Sequence, residues 1–465
     1  MLFSSITFLY LFLPAVLFGY YVLFRKNRFL QNLFLLIVSL IFYAWGEPVF
    51  VLIMIASILM NWLAGMLVNF YRGRRRIPGM IVAFSVVFNL GILFIFKYLN
   101  FFNRILREPF SIPAIALPIG ISFFTFQALS YVIDVYRGKG EVQKNPLYVG
   151  LYISFFPQLI AGPIVRYETI AQEILSRKET LDDFLDGFGR FTVGLGKKVL
   201  LANSFAVLAD AAFNTAGNMS VAFSWLGAVG YTFQIYYDFS GYSDMAIGLG
   251  RMFGFHFLEN FRYPYLSCSV SEFWRRWHIS LGTWFRDYVY IPLGGSRKGN
   301  TRTIWNLFVV WALTGLWHGA NVTFVCWGLM FFVLILIEKL TGFEKTGRGK
   351  YGFFKWIYTM LFVVLGWVLF RSDRIQSAWI YLKSMAGMNG NPLTDGMFTG
   401  YFRQNAVLLA AGILASTPCL KRLAEKQESF CWIRYLKTAW LILLLVLSVA
   451  SLVSSAYNPF IYFNF

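Results

Sequence analysis

"LFVVWALTGLWHGANVTFVCWGLMFFVLILIE", residues 307–338, decides the fold class. It holds no Lys, Arg or Asp, and its only acidic residue is the last, Glu338. A membrane crossing takes about 20 apolar residues. Gly315, Gly319 and Asn321 interrupt the run, and we read crossings over 303–320 and 321–338 on either side. His318 sits at the interruption. A titratable group at membrane depth is costly and is a functional candidate by default. Irregular backbone there is tolerated only beside protein or a water-filled cavity. The plainer reading is a buried histidine satisfied by a neighbouring carbonyl.

The remainder of the chain agrees with this stretch. Of 465 residues, 58% are hydrophobic and 14% charged, with a mean hydropathy of +0.59. A soluble domain carries roughly 25% charged residues. The 51 Phe, 26 Tyr and 15 Trp suit lipid contact and interfacial belts. The expectation is an all-α polytopic membrane protein. Candidate spans are 2–24, 29–46, 48–70, 79–103, 119–136, 147–162, 186–213, 221–250, 303–320, 321–338, 353–371, 401–418 and 436–457. Two look unlike simple crossings: 147–162 is short, and 186–213 contains Lys197, Lys198 and Asp210. Residues 2–24 lack a basic lead and a cleavage signal, so they read as a retained first span. No internal repeat or long linker divides the chain, which reads as one integral-membrane domain over 1–465.

The net charge of +19 falls in short clusters between apolar runs: "RKNR" at 25–28, "RGRRR" at 72–76 and "SRKGNTR" at 296–302. That is the positive-inside pattern with an affinity for anionic headgroups, and it argues against nucleic acid. The first two clusters place the basic side in the cytoplasm and the N-terminus outside. Cys268, Cys326, Cys419 and Cys431 have neither disulfide nor metal-ligand spacing, and no metal site is expected.

A second stretch, "SEFWRRWHISLGTWFRDYVYIPLGG" at 271–295, mixes charges with aromatics. If 272–288 is one helix, Trp274, Trp277, Leu281, Trp284 and Tyr288 form an apolar stripe. Arg275, Arg276, Arg286 and Asp287 then lie off it, with His278 on its flank. Glu272 reaches Arg276 one turn later. Such a helix lies at the interface and does not cross it. A lipid anchor would explain the arginines and tryptophans and leave His278 idle. His256, the third histidine, reads as a packing residue. Gln127, Asp134, Asp238 and Asp244 also sit in apolar segments, and structural pairing is the favoured reading for them.

The sequence lacks a GxSxG elbow, a Walker loop and an HExxH motif. The chemistry left is direct transfer, with a buried imidazole activating an acceptor hydroxyl against an acyl donor.

The two histidine blocks, with "LPIGISFFTFQALSYVIDVYRG" (117–138), "FFPQLIAGPIVRY" (155–167), "YDFSGYSDMAIGLGRMFGF" (237–255) and the terminal "NPFIYFNF", resemble the membrane-bound O-acyltransferase (MBOAT) family. The resemblance is to its bacterial branch acting in alginate acetylation. It implies about eleven transmembrane helices with re-entrant segments around a central tunnel, in the bacterial inner membrane. It also implies His318 as catalytic base and His278 as its second catalytic position. The acyl donor would be acetyl-CoA or an acyl-carrier thioester, used as co-substrate with no tightly bound cofactor. The partners would be an extracytoplasmic transferase and an exported polysaccharide. We extend this to Arg275 and Arg276 as holders of donor phosphates. Acyl transfer to lipid or peptidoglycan, and a polysaccharide transporter or flippase, are the competing expectations.

Overall fold

The computed structural model describes residues 1–107, 109–110, 115–347, 349, 351–419, 422, 431–455 and 457–461. Among them every regular element is helical. Six helices are long and apolar enough to cross a membrane: Phe50–Phe70, Ile77–Ile105, Leu181–Asn214, Val322–Thr341, Gly352–Arg371 and Tyr435–Ser454. Shorter apolar helices occupy Phe8–Leu23 and Arg28–Ala44. The fold is an all-helical, multi-pass membrane fold. The last four residues of "NPFIYFNF" lie outside the described residues.

By internal packing the chain groups into two compact units, 1–192 with 242–258, and 193–241 with 259–465. In the first, Asn61 and Asn89 on neighbouring apolar helices exchange side-chain hydrogen bonds at 3.1 and 2.8 Å, with Ser85 joining at 3.0 Å. Each polar group here satisfies another, since lipid offers no alternative partner. Residues 147–162 are indeed not a simple crossing: Pro146–Ser154 is followed by a single turn, Phe156–Leu159. The backbone then runs irregularly to Arg166, and 155–165 is wholly buried in protein. Gly120, at φ 76°, opens the buried Ile121–Arg137 helix. A Cβ there would come within 2.9 Å of the Leu159 carbonyl.

Asp134 accepts from the Glu168 amide at 3.4 Å, and Asp244 pairs with Arg190 at 2.9 Å, so both are structurally engaged. His256 is half exposed, with Nδ1 3.0 Å from Glu173 and Nε2 3.4 Å from Asp183.

The second unit carries the helix pair Asn300–His318 and Val322–Thr341. Gly315 and Gly328 let the two backbones touch. A Cβ on Gly315 would stand 2.5 Å from the Phe324 carbonyl, and one on Gly328 would stand 2.5 Å from the Trp311 carbonyl.

Two sequence expectations are revised here. Residues 186–213 form part of one unbroken helix, Leu181–Asn214, despite their charges. Within the second unit Lys198 is matched to Asp238 at 2.7 Å and Asp210 to Arg371, so the charges are neutralised by partners. Conversely, 272–288 is not one helix. It divides into Val270–Arg276 and Ile279–Phe285, then a π-helical turn, Arg286–Tyr290.

Candidate active site

The break at 277–278 has a local cause on each side. Ser269 caps Val270–Arg276, its Oγ accepting from the Glu272 amide at 3.0 Å, while Glu272 accepts from the Cys268 amide at 2.9 Å. Glu338, buried near the end of the Val322–Thr341 helix, accepts from the Val270 and Ser271 amides at 2.6 and 2.8 Å. A carboxylate on free amides at a helix N-terminus gains from both hydrogen bonding and the dipole. The short helix is therefore held at its start.

At its end, Trp277 turns extended and His278 adopts φ 45°, ψ 52°. A left-handed conformation costs a residue with a Cβ about 1 kcal/mol or more. Asn260 compensates. Its carbonyl accepts from the Ile279 amide at 3.0 Å, and its side-chain oxygen meets the Ser280 amide at 3.1 Å and the Ser280 hydroxyl at 2.9 Å.

The same oxygen lies 3.2 Å from His278 Nδ1. A backbone amide can only donate, so the Asn260 atom facing Ser280 is the oxygen. In the neutral ring Nδ1 then carries the proton and Nε2 keeps the lone pair. Phe239 meets the ring edge-on at 4.6 Å.

His318 ends its helix, and the chain leaves through extended Gly319 and Asn321. Asn321 fixes the turn, accepting from the Thr323 amide at 3.3 Å and donating to the Asp373 carbonyl at 2.6 Å. A Cβ on Gly319 would fall 2.3 Å from the Phe324 ring, so any side chain there would have to displace that ring. The His318 imidazole packs edge-to-face with Trp327 and Phe370, each at 5.1 Å. Trp317 touches both histidines, its centroid 5.0 Å from His318 and 5.9 Å from His278.

A small cavity of about 20 Å³ opens onto His318. Its other walls are Ile235, Asp238, Phe239, Trp277, Trp327, Trp367, Phe370, Phe460 and Ile461. The only ionisable groups among these are His318 and Asp238. His278 is not a wall residue. It stands behind Phe239 and Trp317, so the structure brings the histidines to one aromatic cluster but only one of them to the cavity.

Arg275 is well exposed and lies 3.7 Å from Glu344, while Arg276 pairs with Glu272 at 2.6 Å as the helical spacing requires. Neither arginine lines the cavity.

Sequence reasoning missed Asp238 as a cavity residue, along with Asn260 and the C-terminal Phe460 and Ile461. A buried lysine and aspartate in two apolar segments were the available signal for Asp238. For the other three the signal was weak, since each depends on chain segments far apart in sequence.

The helical, multi-pass fold thus places a buried histidine on an apolar cavity at membrane depth, a site suited to group transfer. The model of the membrane-bound O-acyltransferase family matches residues 143–372. The chain is 41% identical over 493 residues to a probable alginate O-acetylase of Pseudomonas putida, covering 100% of each chain. It is 44% identical over 393 residues to a probable alginate O-acetylase of Pseudomonas aeruginosa, covering 83% of this chain and 75% of that protein. A peptidoglycan O-acetyltransferase of Helicobacter pylori is 32% identical over 524 residues, with 100% of this chain and 98% of that protein covered. The protein belongs to the membrane-bound O-acyltransferase family. It is an O-acyltransferase of the bacterial inner membrane.

Proposed function

We propose that the protein moves an acetyl group from a cytosolic thioester, acetyl-CoA or an acyl-carrier thioester, across the membrane. The acceptor is an alginate-like exported polysaccharide, reached through an extracytoplasmic partner protein. The observation that carries this reading is His318, buried at the end of a membrane helix and facing an aromatic cavity.

The chemistry follows from that placement. His318 takes the proton of the acceptor hydroxyl as its oxygen bonds to the thioester carbonyl carbon. The carbon–sulfur bond then breaks, and the leaving thiolate recovers the proton from His318. Water is a competing acceptor, and walls of Trp, Phe and Ile disfavour it. His278, the second histidine position, is a positioning residue here: Asn260 fixes its tautomer, and it packs against Trp317, which also meets His318. Arg275 and Arg276, on the short helix leading to His278, are assigned to the donor phosphates, exchanging their carboxylate partners for them.

A second reading, acetylation of peptidoglycan, is favoured by the Helicobacter pylori relative, whose printed activity is of that kind. The test is the O-acetyl content of exported polysaccharide and of peptidoglycan. It is measured by mass spectrometry from cells carrying wild type, His318→Ala or His278→Ala at matched membrane levels. Loss of ester from the exported polymer, with export intact, is the expected result. Loss confined to peptidoglycan moves the second reading forward, and loss of the polymer itself supports transport.

A further inference from the structure

The terminal "NPF" and "I", residues 458–461, form no helix long enough to pack by itself, yet every residue from 457 to 461 is tied down. The Tyr457 hydroxyl donates to Asp210, which also pairs with Arg371. The Asn458 and Asn203 side chains meet at 3.3 Å. The Pro459 carbonyl accepts from Lys198 Nζ, and the same ammonium lies 5.7 Å from the Phe460 ring centroid. The Ile461 amide donates to Asp238 at 2.8 Å.

Lys198 and Asp238 are both buried and form their own ion pair at 2.7 Å. Ionised groups in a membrane interior are expensive. The same two groups also hold backbone atoms of the C-terminal segment, at Pro459 and Ile461. Within that segment the Phe460 and Ile461 side chains are walls of the His318 cavity.

We infer that the latched segment 457–461 is the acyl-length gauge of the enzyme: Phe460 and Ile461, walls of the cavity that opens onto His318, restrict its acyl substrate to short acyl groups. This rests on the acyl-transfer reading above and names the residues that set its donor specificity. Space decides the assignment. A substrate methylene added to a filled apolar pocket is discriminated by about 10- to 200-fold, and trimming the wall that meets it removes that discrimination.

The experiment uses full-length protein in inside-out membrane vesicles, supplied with equimolar radiolabelled acetyl-CoA or propionyl-CoA. The readout is the ratio of propionyl to acetyl transferred, whatever the overall rate. Ile461→Ala and Phe460→Leu are each compared with wild type. The expected result is a rise in that ratio of about tenfold or more in at least one variant. An unchanged ratio in both overturns the inference. Loss of all transfer from both variants at wild-type membrane levels also overturns it, because the segment would then serve assembly and not selection. Absence of His318-dependent transfer in the wild type would instead be a failure of the acyl-transfer reading, so the two remain distinguishable.

Discussion

The two buried histidines reach the same aromatic cluster by opposite routes. His318 is delivered by a long helix that stops, and its position follows from where glycine interrupts an apolar run. His278 is delivered by a short helix that breaks, and its position depends on a left-handed backbone held by Asn260. One is placed by local sequence. The other is placed by tertiary contacts from residues 18 or more positions away. The histidine that faces the cavity is carried here by the regular element, and the one that does not is carried by the strained one.

Variants that separate the routes sharpen this contrast. The largest effect belongs to His318→Ala, which removes the proposed base. Transfer should fall by about 10² to 10⁴-fold while the protein still reaches the membrane and unfolds at an unchanged temperature. A residual rate near wild type would break the assignment of His318 as the cavity's working group.

Next is Glu338→Ala, which strips the cap from the Val270–Arg276 helix and leaves two buried amides without an acceptor. A loss of about 3 kcal/mol is expected in thermal or denaturant unfolding of the detergent-solubilised protein. If stability is untouched, the short helix does not depend on that carboxylate.

Asn260→Ala should lower transfer by about tenfold, about 1.4 kcal/mol of barrier, with little change in membrane level. Asn260→Asp keeps the acceptor and should restore most of it. Failure of Asn260→Asp to restore transfer would show that the side-chain acceptor is not what Asn260 contributes.

The smallest effect on stability is expected of Arg276→Ala, whose part in the donor site is read from KM. Its pair with Glu272 is partly exposed, and such helical pairs contribute about 0.5 kcal/mol or less. A large rise in KM for the donor without loss of stability would show that the guanidinium contacts donor phosphates.

The same contrast explains what could be read from the sequence. The multi-pass helical class, the break around Gly319 and Asn321, and the candidacy of His318 all follow from apolar runs and their interruptions, whereas Gly315 stays inside the Asn300–His318 helix. The Glu272–Arg276 pair follows from helical spacing and is present at 2.6 Å. The break between Trp277 and His278 was invisible, because Trp274, Trp277, Leu281 and Trp284 keep a helical period straight through it. Only the Asn260 contacts to Ile279 and Ser280, with the cap from Glu338, override that period. Lys197, Lys198 and Asp210 argued against a crossing over 186–213 for a sound reason, the cost of charge in lipid. Asp238 and Arg371 overturn it by supplying partners for Lys198 and Asp210.

The central claim is that His318 performs acyl transfer through the membrane. The most direct measurement uses sealed inside-out vesicles containing acceptor polysaccharide and the extracytoplasmic partner in the lumen, with radiolabelled acetyl-CoA added outside. The account predicts ester-linked label on the lumenal polymer with wild type and none above background with His318→Ala. Equal labelling by the two proteins would contradict it.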